Sequence, residues 1–278
     1  MWDALAGLAP SLVQLMALAV PGWHDDAGGR LQSVDLPPQH GHPAGWHAGA
    51  NRVLAEPRLL LHGDADHLTL IAGLVPAGAD GKPAADQLAP MALAAYPFER
   101  RGGAWQPAGS RDVFALRGFS GNATLRAVTL SGGRQAVAVE YGSCFQGYCG
   151  TWLALYESDK GTMRHEPAVE LALSGTNVDG AADCARRLQP APGPAPQHAG
   201  LRSDGAALDA HDCYAIESSW TIDPAGDLVI RYRGAISRAE QQTQMTQQAA
   251  RTVDQRQVLR YGNGRYRAVS GFNPVPQI

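Results

Sequence analysis

The sequence predicts a mainly β fold: an antiparallel meander of hairpins, sandwich, barrel or propeller-like, with few helices. Three observations carry that expectation. Short alternating runs rich in Val, Leu, Tyr and Thr recur along the chain, Gly-bearing turns separate them, and strong helix signals are few.

The first twenty residues, MWDALAGLAPSLVQLMALAV, lack the basic n-region of a secretory signal, and Pro10 interrupts them. Their uninterrupted apolar stretch also falls short of the roughly 20 residues that a membrane-spanning helix needs. They read as a buried first strand, with an export signal lying upstream of a substitute start at Met1. Residues 15–36 then read as strand, Asp/Gly turn, strand.

Further strands are expected at 67–75 (HLTLIAGLV), 91–100, 111–119, 123–130, 134–141 and 150–158. ATLRAVTLSGGRQAVAVEY is the clearest hairpin, because SGGR supplies residues that tolerate positive φ between two period-2 runs. FERRGGAWQPAG (98–109) and LRYGNGRYRAVSG (259–271) have the same form: a strand, a Gly turn and an aromatic on the return. Two copies do not establish a repeat. The Gln-rich segment 237–257 reads either as a helix with a narrow stripe of Ile236, Met245, Ala249 and Val253, or as a structureless loop.

LQPAPGPAPQHAG (188–200) has proline at every second position from Pro190 to Pro196 and cannot continue a sheet. It is expected to separate a larger β domain (1–187) from C-terminal hairpins (201–278) that share the same core. At 278 residues there is chain enough for a substantial core, and 45% hydrophobic against 18% charged residues excludes wholesale disorder. Formal charge is -3, and no basic run exceeds a pair such as Arg100-Arg101 or Arg186-Arg187. Nucleic acid is therefore set aside as a partner. Lys82 and Lys160 are the only lysines, an Arg and Ala bias that fits a GC-rich bacterial coding sequence.

The four cysteines are Cys144, Cys149, Cys184 and Cys213. Pairing Cys144 with Cys149 closes the CFQGYC turn, and pairing Cys184 with Cys213 closes a loop around the Pro-rich stretch. On the chain-entropy model these contribute about 2 and about 3.5 kcal/mol, the larger falling where the sequence most needs an anchor. Two disulfides imply an oxidising compartment, so the chain is expected to be periplasmic or secreted. Zinc is disfavoured because neither pair has C-x2-C-like spacing. A thiol nucleophile is disfavoured because Tyr141 and Phe145 stand where a papain-type segment carries Cys and Trp or Tyr. His165 and His211 are the bases nearest in sequence, and GFSGN lacks the spacing of a serine nucleophile elbow.

Six of nine histidines fall between residues 24 and 67: His24, His40, His42, His47, His62 and His67. In HGDADH, His62 and His67 flank Asp64 and Asp66, a donor mixture able to hold zinc or copper, although it matches no helical ligand spacing and also suits an exposed turn. GADGK (78–82) and NVDGAAD (177–183) lack the full calcium loop and read as turns. No cofactor is expected.

Phe145, Tyr148 and Trp152 surround the first cystine and form the candidate binding loop, while Trp23 and Trp46 flank the His-rich turns. A cystine-held turn presents aromatic side chains at low entropic cost. The expected function is a non-enzymatic exported β protein that binds another protein, as an inhibitor or immunity-type partner does. The alternatives are a hydrolase with a dispersed His/Asp site and a glycan- or small-ligand-binding envelope module.

Overall fold

The chain is mainly β, with its strands in two antiparallel sheets. The computed structural model describes residues 10–20, 22–23, 31–34, 46, 51–83, 89–109, 111–119, 122–180, 183–189, 212–238 and 250–276. Among them, no helix is long and apolar enough to cross a membrane. Two compact units are present. The first comprises residues up to Thr129 with Gly133–Tyr141 and Ala154–Ala168; the second comprises Leu130–Gly132, Gly142–Leu153 and the chain from Val169 onward.

In the first unit one sheet has the order β1 (Leu31–Val34), β2 (Asn51–His62), β3 (His67–Pro76), β4 (Met91–Arg101), β5 (Ala104–Pro107), and β6 (Asp112–Arg117) also pairs with β4. Helix α1 (Leu12–Ala19) packs on one face of this sheet. Leu68, Leu70, Ala72 and Leu74 of β3 point into that core with Ala92, Ala94 and Phe98 of β4, against Leu15 and Met16. The alternate residues Ile71, Met91, Leu93 and Ala95 enter a second core, shared with Val137, Val139, Ala154 and Tyr156 from the opposing strands. Those strands are β7 (Ala123–Thr129), β8 (Gln135–Phe145) and β9 (Tyr148–Asp159), with β10 (Thr162–Met163) pairing β9. The first unit is thus a sandwich with a helix on its outer side. Burial on both faces explains why HLTLIAGLVP is apolar almost throughout.

Residues 15–36 are not a hairpin. Ser11 caps α1: its Oγ accepts from the Gln14 amide at 3.2 Å, and Gln14 Oε1 accepts from the Ser11 amide at 2.9 Å. This reciprocal capping box, placed directly after Pro10, starts a helix whose buried face is Leu15 and Met16. In that stretch Leu31–Val34 is a strand, with Leu31 opposite Leu54. Trp23 and Trp46 belong to the core and form no outer binding face. They are buried, and their indole N–H groups donate to the carbonyls of Ala55 and Pro90, each at 3.0 Å.

The second unit carries a sheet of order β8-β9-β11-β12-β13-β14-β15, built from the ends of β8 and β9 nearest their turn, β11 (Val169–Thr176), β12 (Cys213–Ile222), β13 (Leu228–Ser237), β14 (Arg251–Gly262) and β15 (Arg265–Ser270). One short helix, α2 (Cys184–Arg187), precedes β12. Tyr214, Ile216, Ile230, Tyr232, Val253 and Leu259 face inward, while Glu217, Arg231, Arg233, Asp254 and Arg256 alternate outward. Within the expected helix 237–257, residues Arg251–Gln257 form part of β14; Ile236 lies in β13, opposite Arg251. Residues 239–249, with Met245 and Ala249, lie outside the described residues, as does the Pro-rich stretch from Pro190 onward.

Candidate binding site

The segment GSCFQGYCG is a β-hairpin with a two-residue turn. Gln146 and Gly147 have φ of 50° and 82°, the positive values that a type I′ connection requires at both central positions. With those two residues making the turn, β8 runs through Phe145 and β9 begins at Tyr148. This differs from the expectation of strands ending near Tyr141 and resuming near Thr151. Cys144 and Cys149 therefore bridge adjacent strands, with Cα atoms 4.0 Å apart, and the cystine staples a hairpin instead of closing a loop.

A second contact fixes the tip. A Cβ on Gly147 would collide with the backbone of Asp179 and Gly180, and one on Gly180 would lie 2.7 Å from Cδ2 of Tyr148 and 2.8 Å from the carbonyl oxygen of Gln146. The hairpin tip and the turn after β11 thus meet backbone to backbone, an approach open only to glycine. That turn is itself anchored. Buried Asn177 donates through Nδ2 to the Asp212 carbonyl at 2.7 Å, and its Oδ1 accepts from the Tyr214 amide at 2.9 Å. Next to Tyr214, Cys213 is bonded to Cys184 of α2. Both disulfides thus pair as the loop lengths predict, and no described cysteine is free.

The three aromatics of the candidate loop have different positions. Phe145 is 67% exposed, the most exposed large hydrophobic side chain among the described residues. Tyr148 is half-buried and lies over Gly180. It also bears on Tyr214, whose hydroxyl is pushed above its ordinary value first by burial and then by the neighbouring Tyr148. Trp152 is half-buried farther along β9. Only Phe145 is presented to solvent, and Tyr148 helps to fix the hairpin that presents it.

Beside the hairpin lies a groove of about 680 Å³, bordered by Cys144, Cys149, Thr151, Ser174, Glu217 and Arg233. Its floor is shaped by glycine. A Cβ on Gly142 would sit 3.0 Å from the Gly150 carbonyl oxygen, and Gly234, with φ of 150°, passes so close to the Ala215 carbonyl that any side chain would collide. Across the groove Thr151 Oγ1 and Ser174 Oγ are hydrogen-bonded at 2.7 Å. Glu217 stands opposite Arg233, and Arg233 opposite Asp254. The volume falls in the range of small-ligand and side-chain pockets. Glycines inside strands were the sequence signal for this groove, since glycine there marks a close backbone approach.

The His-rich region resolves differently. In the β2–β3 turn Asp64 Oδ1 accepts from the Asp66 amide at 2.9 Å and pairs with His67 Nδ1 at 2.8 Å. These bonds, the Asp66 amide foremost, hold the Asp64 carboxyl below its ordinary value. They make a polar turn, with His62 at the end of β2. Among the described residues no cluster of three or more His, Cys, Asp or Glu is placed to hold a metal. His24, His40, His42, His47 and His211 lie outside the described residues.

One His–Asp pair does occupy a cleft. In the first unit His165 Nε2 lies 3.0 and 3.2 Å from the two carboxylate oxygens of Asp112, at the edge of a cavity of about 660 Å³ also lined by His67, Arg111, Lys160 and Thr162. The sequence offers His165 only as one of the two bases nearest to a candidate cysteine nucleophile. Its partner is 53 residues away and could not be read from spacing. No family model, curated protein or solved structure matches the chain.

Proposed function

We propose that this is an exported β protein that binds another protein through the cystine hairpin of its second unit, in the manner of an inhibitor or immunity-type partner. The observation that carries the reading is Phe145. It is a large apolar side chain held out on a hairpin that is stapled by Cys144–Cys149 and seated on the turn at Gly180. A rigid, exposed aromatic next to a glycine-floored groove loses little entropy on docking and supplies the central anchor that protein interfaces use. Two disulfides agree with an oxidising, exported setting.

The test is site-specific photocrosslinking from position 145 in an extract of the exported fraction, with Val13 as the control position. The expected result is one discrete adduct from 145 and none from 13, with recovery of the same partner falling at least about tenfold in Phe145→Ala. Equal recovery with Phe145→Ala would remove the hairpin from the interface.

The His165–Asp112 pair favours a hydrolytic alternative, because a carboxylate that orients an imidazole is a recurrent element of acid–base sites. Turnover of an ester, peptide or glycoside substrate that vanishes in His165→Ala would replace the binding reading.

A further inference from the structure

The fold gathers arginines that are scattered in the sequence. Residues 228–278 carry eight arginines against Glu240 and Asp254 and contain no lysine, in a chain whose formal charge is -3. Strand alternation and register place several of them together. Arg231 and Arg233 project from the outer face of β13, Arg256 stands directly opposite Arg231 on β14, and Arg260 stands opposite Arg267 on β15. Like charges directly opposed across an antiparallel pair repel, so a counter-charge from outside would relieve a cost built into this face.

Elsewhere several described arginines find carboxylates. Arg58 pairs with Glu56, Arg126 with Glu140, Arg134 and Arg164 with buried Glu157, and Arg186 with Asp183. On the second unit's outer face Arg260 is neutralised by Asp227 at 2.9 Å. Arg231, Arg233, Arg256 and Arg267 have no carboxylate within ion-pair distance among the described residues. These four guanidinium groups stand on three adjacent strands, and Arg233, set between Glu217 and Asp254, also lines the groove beside the cystine.

We infer that this arginine face is the docking surface for an acidic patch on the protein partner. The inference rests on the binding reading above and adds the partner's chemistry. Guanidinium groups offer paired donors that match carboxylates bidentately. The face is not uniformly basic: Asp254 sits beside Arg233, Glu217 borders the groove, and Val269 of the neighbouring β15 is 51% exposed. Interleaved acids and an exposed aliphatic suit a protein surface of mixed character and disfavour a uniform polyanion such as nucleic acid.

The experiment uses the full chain and three labelled probes: a glutamate–tyrosine copolymer, a short DNA duplex, and vesicles containing an anionic lipid. Binding is read by fluorescence anisotropy or sedimentation at about 20 and about 200 mM salt, which spans strong and weak screening. The expected result is copolymer binding that exceeds duplex and vesicle binding and weakens with salt. It should fall at least about tenfold in the double variant Arg231→Gln, Arg256→Gln and stay unchanged in Arg58→Gln. Because both replaced side chains are exposed, the double variant should melt at or above the parent temperature, which separates lost binding from lost folding.

Equal copolymer binding by the double variant, or tighter binding to duplex or vesicles than to copolymer, would overturn the inference. The two readings fail separately. If partner crosslinking from position 145 survives the double variant, the arginine face falls and the hairpin stands. If the copolymer responds to the arginines while Phe145→Ala leaves partner recovery unchanged, the hairpin falls and the acidic docking surface stands.

Discussion

Strands β3 and β4 of the first unit and β13 and β14 of the second are of similar length and antiparallel pairing, yet they are written in different codes. β3 and β4 are covered on both faces, by α1 on one side and by β7–β9 on the other, so nearly every position is apolar. β13 and β14 have one covered face, and their outer positions carry Arg231, Arg233, Asp254 and Arg256 between inward Ile230, Tyr232 and Val253. The first pair has no face left for recognition. The second pair keeps half of its side chains available for it, and the candidate partner surface lies there.

The sharpest way to break this contrast is a core truncation. Phe98→Ala, at a position 1% exposed among Leu70, Ala72 and Leu15, should cost about 3–5 kcal/mol in urea unfolding. A cost near that of a surface change would show that β4 is not covered as described.

Removing the cystines should come next. Cys184→Ser with Cys213→Ser is expected to cost about 3.5 kcal/mol, and Cys144→Ser with Cys149→Ser about 2 kcal/mol, from the difference in loop length. Chemical unfolding of the two double variants orders them, and the reverse order would mean that the hairpin staple does more than shorten a loop.

The mildest probe is alkali. Burial pushes the hydroxyls of Tyr96, Tyr214 and Tyr232 above the ordinary value of 10.0, most strongly in Tyr232. A raised folded value means that the unfolded chain ionises first. The stabilisation is therefore complete below about pH 10 and is lost as pH rises above it, by at most about 1.4 kcal/mol per pH unit for each tyrosine. Tyr232→Phe should flatten the loss of melting temperature between pH 10 and pH 11 as followed by circular dichroism. An unchanged slope would mean that Tyr232 is solvated.

Much of the fold was legible because the strands announce themselves. The runs at 67–75, 91–100, 111–119 and 123–130 are β3, β4, β6 and β7, and the SGGR connection carries Gly132 and Gly133, each at φ 76°. Helix α1 stands where the apolar run reads as a buried first strand, although Ser11 and Gln14 spell a capping box. The Cys144–Cys149 and Cys184–Cys213 pairs followed from loop lengths, whereas the two-residue turn did not, since it depends on Gln146 accepting a positive φ. The arginine face was invisible for a different reason. Its members are separated by one residue along β13 and brought opposite β14 only by register, so a search for basic runs passes over them.

The Cys184–Cys213 bond joins α2 to the first residue of β12 and closes a covalent ring around everything between them. A protease that cuts once inside that ring breaks the backbone but not the molecule. The two fragments stay linked through sulfur and run as one species until a reductant is added, while the pairing of β12 with β13 keeps its full register from Cys213 to Ile222. Such a nick would be survivable damage.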